Sequence, residues 1–148
     1  MNLPSEAKGI SHCTVFDSEK SWYDLLTEDE KLLIDRHSVS ITFKKGETVC
    51  KRGAFASHIY YMEDGLVKVY LEEKSKNLIL MLAIRNNLLG MAAIFDGNDK
   101  LPYSVTAYTD SKIRMIDINI FRQLLKQNPE WPECLTLMKA FYLKWMYP

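Results

Sequence analysis

Three histidines and three cysteines are the residues to weigh first for chemistry, because a thiolate or an imidazole can ligate a metal, attack a substrate or move a proton. Cys13, Cys50 and Cys134 are an odd number at spacings far from any C-x-x-C pattern. That argues for ordinary reduced thiols rather than a disulfide framework, a zinc site or an iron–sulfur cluster. His12 stands beside Cys13 and reads as a surface pair, while His37 and His58 fall at a helix end and a strand start. A jelly-roll metal enzyme of the cupin kind needs a His-x-His pair with a following Glu and a further His, and no such set is present. Nor is there a G-x-S-x-G, a P-loop or a pair of carboxylates at strand ends. The expectation is a chain that is not an enzyme and that holds no metal and no cofactor.

Backbone donors remain as a possible chemical device, and the stretch from Leu88 to Ala107 is where they would gather. It reads as a strand end, a glycine turn at Gly90, the small or apolar residues Met91, Ala92 and Ala93, a polar loop from Asp96 to Lys100, and a new strand near Tyr103. A glycine just before a helical turn lets several N–H groups point one way. That is how proteins cradle an anion such as a phosphate.

The elements that would position this stretch fit a single domain. The chain has 148 residues, 47% hydrophobic and 26% charged, which is the balance of an ordinary folded protein. Lys plus Arg equals Asp plus Glu at 19 each, so no overall basic field exists to hold nucleic acid or an anionic membrane. No basic leader with an apolar core and no run approaching about 18 apolar residues is found, and a cytoplasmic location without membrane contact is expected.

Residues 1–20 lack a clear period and read as an arm. Thr27 followed by Glu30 is a capping-box start for a short helix through Leu32, Leu33 and Arg36. From Val39 the pattern alternates, and short strands then follow at Thr48 to Lys51, His58 to Met62, Leu66 to Glu72, Leu78 to Ile84, Tyr103 to Tyr108 and Lys112 to Ile116. Val67, Val69 and Leu71 alternate with polar neighbours and predict one buried face, whereas the continuous apolar run Leu78 to Ile84 predicts a central strand. Many short strands at this spacing predict a jelly-roll barrel, mainly β with flanking helices. Asp117 caps a helix carrying Ile118, Phe121, Leu124 and Leu125, which Asn128-Pro129 interrupts. Pro132 can open a last helix whose face of Leu135, Met138, Tyr142, Trp145 and Met146 predicts pairing with a second copy.

This order of elements, with particular residues, resembles the effector domain of the Crp/Fnr family of bacterial transcription regulators. The match is carried by Phe43-Lys44-Lys45-Gly46-Glu47, Lys51-Arg52-Gly53, Ile59-Tyr60-Tyr61, Gly65-Leu66-Val67-Lys68-Val69, the Gly90 segment through Phe95, Val105-Thr106-Ala107 and Phe121-Arg122-Gln123-Leu124-Leu125 before Asn128-Pro129. The resemblance implies a double-stranded β-helix of the cyclic-nucleotide-binding type over residues 21–131, followed at 132–148 by the start of a dimerisation helix. It also implies a homodimer in which a small-molecule effector shifts the long helices and reorients a helix-turn-helix. No helix-turn-helix is present in this chain, so DNA contact is expected only through a domain beyond it. Open alternatives are a stand-alone cyclic-nucleotide-binding-like regulatory or interaction module and, remotely, a cupin-like enzyme.

In members of the family that bind cyclic AMP, a Glu directly after the glycine turn holds the ribose, and an Arg-Ser pair holds the phosphate. Counted from Gly90, those positions are Met91, Leu101 and Pro102. Charge-assisted hydrogen bonds are worth about 1.5–3 kcal/mol each, so losing two or three weakens cyclic nucleotide binding by roughly 1,000-fold or more. The candidate effector pocket is therefore Gly90, Met91, Ala92, Ala93, Leu101, Pro102, Tyr103 and Ser104, with Tyr142 and Met146 from the long helix. Two readings stay open: these side chains fill the cavity as core, or they receive an apolar or weakly polar effector that the sequence does not name.

Overall fold

The computed structural model describes residues 22–91, 94, 97 and 99–128. The N-terminal arm and the dimerisation helix, with Leu135, Met138, Tyr142, Trp145 and Met146, lie outside them. A short 3-10 turn, Trp22–Leu25, leads into helix α1, Glu28–Arg36. The capping box is formed: Thr27 Oγ1 accepts from the Glu30 amide at 3.2 Å, and Glu30 Oε1 accepts from the Thr27 amide at 2.9 Å.

Eight strands follow: β1 Ser38–Phe43, β2 Thr48–Cys50, β3 His58–Asp64, β4 Leu66–Glu72, β5 Asn77–Ile84, β6 Leu88–Leu89, β7 Ser104–Ala107 and β8 Ser111–Asp117. They form two antiparallel four-stranded sheets, in the orders β1-β8-β3-β6 and β2-β7-β4-β5. The jelly-roll, mainly β class read from the strand spacing is the class observed. Between the sheets lies a core including Val67, Val69, Val105, Met62 and Ile113, all essentially without exposure.

Helix α2, Ile118–Gln127, starts at Asp117, whose carboxylate accepts from the Asn119 amide at 2.8 Å. It buries Ile118, Phe121 and Leu124 and sets Phe121 against Trp22, ring centroids 5.2 Å apart. Asn128 ends the helix and binds it to α1, since its amide donates to Leu124 O at 2.7 Å and to Glu30 Oε2 at 2.6 Å. The Thr27–Glu30 box and the α2 terminus therefore share one carboxylate.

One expectation fails. Strand β5 is not central: among the described residues it pairs only with β4, at the sheet margin, and Leu78, Ile79, Leu82 and Ile84 are each about half exposed. An unbroken apolar run specifies burial on two faces only when strands exist to flank it, and β5 has one neighbour.

Candidate functional site

The Gly90 turn leaves β6 at the margin of the first sheet. Gly90 has φ +88°, and a Cβ there would come to 3.0 Å from the His58 carbonyl oxygen and 3.3 Å from Tyr60 Cδ2. Both the backbone angle and the close approach demand glycine. The glycine turn read from the sequence is thus present.

Its leading donor is already in use. The Gly90 N–H donates to the hydroxyl of Tyr103 at 2.7 Å, in a buried contact. Burial pushes the Tyr103 phenol far above its ordinary range, against the lowering effect of the Gly90 amide and reinforced by Cys50 and Tyr60. Tyr60 is hydrogen-bonded to the buried thiol of Cys50, and burial pushes each of them up to about 12. Among the described residues, the interior behind the turn therefore holds three neutral protic groups and no fixed cation.

Met91 and Leu101, the residues that the resemblance sets against a ribose-binding Glu and a phosphate-binding Arg, are both buried, at 4% and 2% exposure. Leu101 is fixed through its backbone: its N–H donates to Ala54 O at 2.9 Å, and its carbonyl accepts from the Gly53 amide at 2.8 Å. Pro102 is half-buried, and Lys100 next to the arginine position is exposed.

Ser104 is not brought together with Gly90. Strand alternation turns it to the face of its partner Tyr70 and away from the inward pair Val69 and Val105. There its hydroxyl accepts from the Arg52 amide at 2.9 Å and donates to Glu72 at 2.9 Å. The Lys51 ammonium, 3.1 Å from Glu72, and the Ser104 hydroxyl hold that carboxyl below the usual carboxylate range. Ala92, Ala93, Tyr142 and Met146 lie outside the described residues.

A second concave feature went unnoticed in the sequence. A groove of about 360 Å³ opens beside β1, lined by Arg36, His37, Ser38, Val39, Ile41, His58, Met115 and Asp117. Val39, at 63% exposure, is an uncovered part of the face that alternation assigned to one side of β1. The residues come from three segments far apart in sequence. Only the strand register, which no local pattern encodes, joins them.

Residues 40–128, more than half of the chain, match the cyclic nucleotide-binding domain family. The chain belongs to that family. A 59-residue stretch is 36% identical to a cGMP-dependent protein kinase of Plasmodium berghei (strain Anka), covering 40% of this chain and 7% of the kinase.

Among solved structures, the sensor domain of the transcriptional regulator DNR from Pseudomonas aeruginosa superposes with a TM-score of 0.69 at 20% identity, covering 80% of this chain and 83% of that one. The c-di-GMP responsive global regulator CLP of Xanthomonas campestris gives 0.64 at 20% identity, covering 80% and 58%. The Thermus thermophilus catabolite activator protein gives 0.66 at 17%, covering 80% and 56%. The neighbours thus include Crp/Fnr-type transcription regulators, and this chain spans little more than half the length of two of them. No described helix is long and apolar enough to cross a membrane.

Proposed function

We propose that the chain is the effector-sensing and dimerisation part of a Crp/Fnr-type transcription regulator whose cyclic AMP site has been closed from within. The observation that carries this reading is the buried Gly90 N–H bond to the Tyr103 hydroxyl at 2.7 Å, which gives an internal side chain the donor a ligand would need. Met91 and Leu101 support it, because both are buried apolar groups at positions where a nucleotide requires a carboxylate and a guanidinium. In this reading residues 21–131 form the sensor and 132–148 begin the dimer helix, paired through Leu135, Met138, Tyr142 and Trp145. DNA is reached through a helix-turn-helix outside this chain, and the protein works in the cytoplasm. In this reading Tyr103, Met91 and Leu101 take the place that a cyclic nucleotide would occupy behind the Gly90 turn, and any effector is of a different chemistry. The local match to a cGMP-dependent kinase favours a second reading, a regulatory module attached to an enzyme.

Native mass spectrometry of the protein purified from cells tests the proposal. The expected species is a dimer at twice the chain mass with no nucleotide adduct. A cyclic nucleotide carried through purification, or a monomer at micromolar concentration, would refute it.

A further inference from the structure

Strand β1 is an open sheet margin whose inner face is uncovered. Of the four margin strands, β2 and β6 have three and two residues, and β5 breaks register against β4 at Leu80. Strand β1 keeps an unbroken register with β8 over six residues, and it lacks the charges, proline or bulge that blunt an exposed edge. Directly paired residues of an antiparallel ladder point to the same face. Val39 pairs with Met115 and Ile41 with Ile113, and Ile113 pairs in turn with Met62, so both β1 side chains belong to the face that holds the core. Ile113 and Met62 are fully buried there, whereas Val39 is 63% and Ile41 37% exposed, and both line the groove of about 360 Å³.

The backbone of that margin is open as well. The Asp117 amide donates to His37 O at 3.0 Å, which makes His37 and Asp117 a hydrogen-bonded pair one step before Ser38 and Ile116. Bonded and non-bonded pairs alternate along an antiparallel ladder, so Val39, Ile41 and Phe43 spend their N–H and C=O groups on β8. Those of Ser38, Ser40 and Thr42 face the other side, where no strand stands among the described residues. Alternating donors and acceptors along an apolar wall are what an extended segment needs to pair and to bury side chains at once.

We propose that residues 10–16 of this same chain add to β1 as a further strand of the first sheet, antiparallel to it, and cover Val39 and Ile41. The run holds Ile10, Thr14, Val15 and Phe16, contains no Asp, Glu, Lys or Arg, and lies between Gly9 and Asp17-Ser18, which is the composition and punctuation of a strand. The length of chain before Trp22 allows the placement. Trp22 packs on Tyr61, ring centroids 5.8 Å apart, and Tyr61 stands across from Arg114, which stands across from Ser40. A strand added beyond β1 is thus three strand spacings from Tyr61, about 14 Å. The six peptide steps from Phe16 to Trp22 reach about 20 Å. Charge favours the antiparallel direction, which brings Phe16 to the Ser38 end of β1 and Asp17 toward Arg36 at that end of the groove. Arg36 has no ion pair among the described residues, whereas Lys44 at the other end is already paired with Asp110 at 3.9 Å. The arm then closes an edge that would otherwise be free to pair with a second copy. The inference concerns the wall of β1 and is independent of what the Gly90 turn holds.

Residue-resolved amide hydrogen exchange of the full chain tests this. Ser38, Ser40 and Thr42 are expected to be protected to within about tenfold of Val39, Ile41 and Phe43, independently of protein concentration. A Thr14→Pro, Val15→Pro variant takes a backbone donor from the arm whichever of the two residues faces β1. In it the amides of Ser38, Ser40 and Thr42 should exchange about tenfold faster or more, while Val39, Ile41 and Phe43 keep the parent's rates and so report an intact sheet. Fast exchange of Ser38, Ser40 and Thr42 in the parent, or protection that survives the two prolines, would overturn the assignment. Protection that grows with protein concentration would overturn it too, by giving the edge to a second copy.

Discussion

Tyr103 decides what the Gly90 turn can hold. A buried N–H that loses its only partner costs about 1–3 kcal/mol, so Tyr103→Phe, which removes one oxygen and keeps the ring, should destabilise the fold by that amount in denaturant titrations. An unchanged midpoint would mean that the hydroxyl is dispensable and the closure unimportant. The proposed losses at Met91 and Leu101 are read from single positions counted from a glycine. It did not disclose the replacement, since nothing local indicates that a residue 13 positions away would return its hydroxyl to the Gly90 amide. Ser104 misled for a related reason. It opens β7 and spends its hydroxyl on the Arg52 amide and the Glu72 carboxylate, partners that lie far from it in sequence.

At the scale of elements, the turns and caps were legible because their chemistry is local. Thr27 with Glu30 and Asp117 with Asn119 form the caps their spacing predicts. Gly65, between β3 and β4, carries the clearest mechanical test. Its φ is +95°, and an added Cβ would lie 2.3 Å from Ser111 Oγ and 2.7 Å from Asp110 O. The Ser111 hydroxyl is fixed there by donation to Thr109 O at 2.8 Å, and it accepts from the Leu66 amide at 3.2 Å. Gly65→Ala should therefore cost about 2–5 kcal/mol, from left-handed backbone strain plus overlap with a strand end that has little room to move. Thermal unfolding within a few degrees of the parent would show that the β3–β4 corner is softer than this geometry states. The position of β5 was not legible, because its Leu and Ile run fits a central strand and an uncovered margin equally well. The groove was hidden for the same physical reason: ladders are chosen by global pairing, and only they set His37, Asp117 and His58 side by side.

For the whole molecule, the glycines, alternating strands and helix pair in sequence order sufficed to identify a cyclic nucleotide-binding domain, and the match over residues 40–128 bears this out. The fold is shared with regulators at about 20% identity, a level that transmits architecture and leaves the ligand to individual side chains. Here Cys50, Tyr60 and Tyr103 make a neutral interior, which in the proposed reading stands where a phosphate would need a cation. The most direct measurement of this closure is isothermal titration of the protein with cyclic AMP and cyclic GMP up to millimolar concentration. No saturable heat is predicted for either nucleotide. A dissociation constant in the micromolar range would contradict the account, because the Gly90 donor would then have to be free for a ligand.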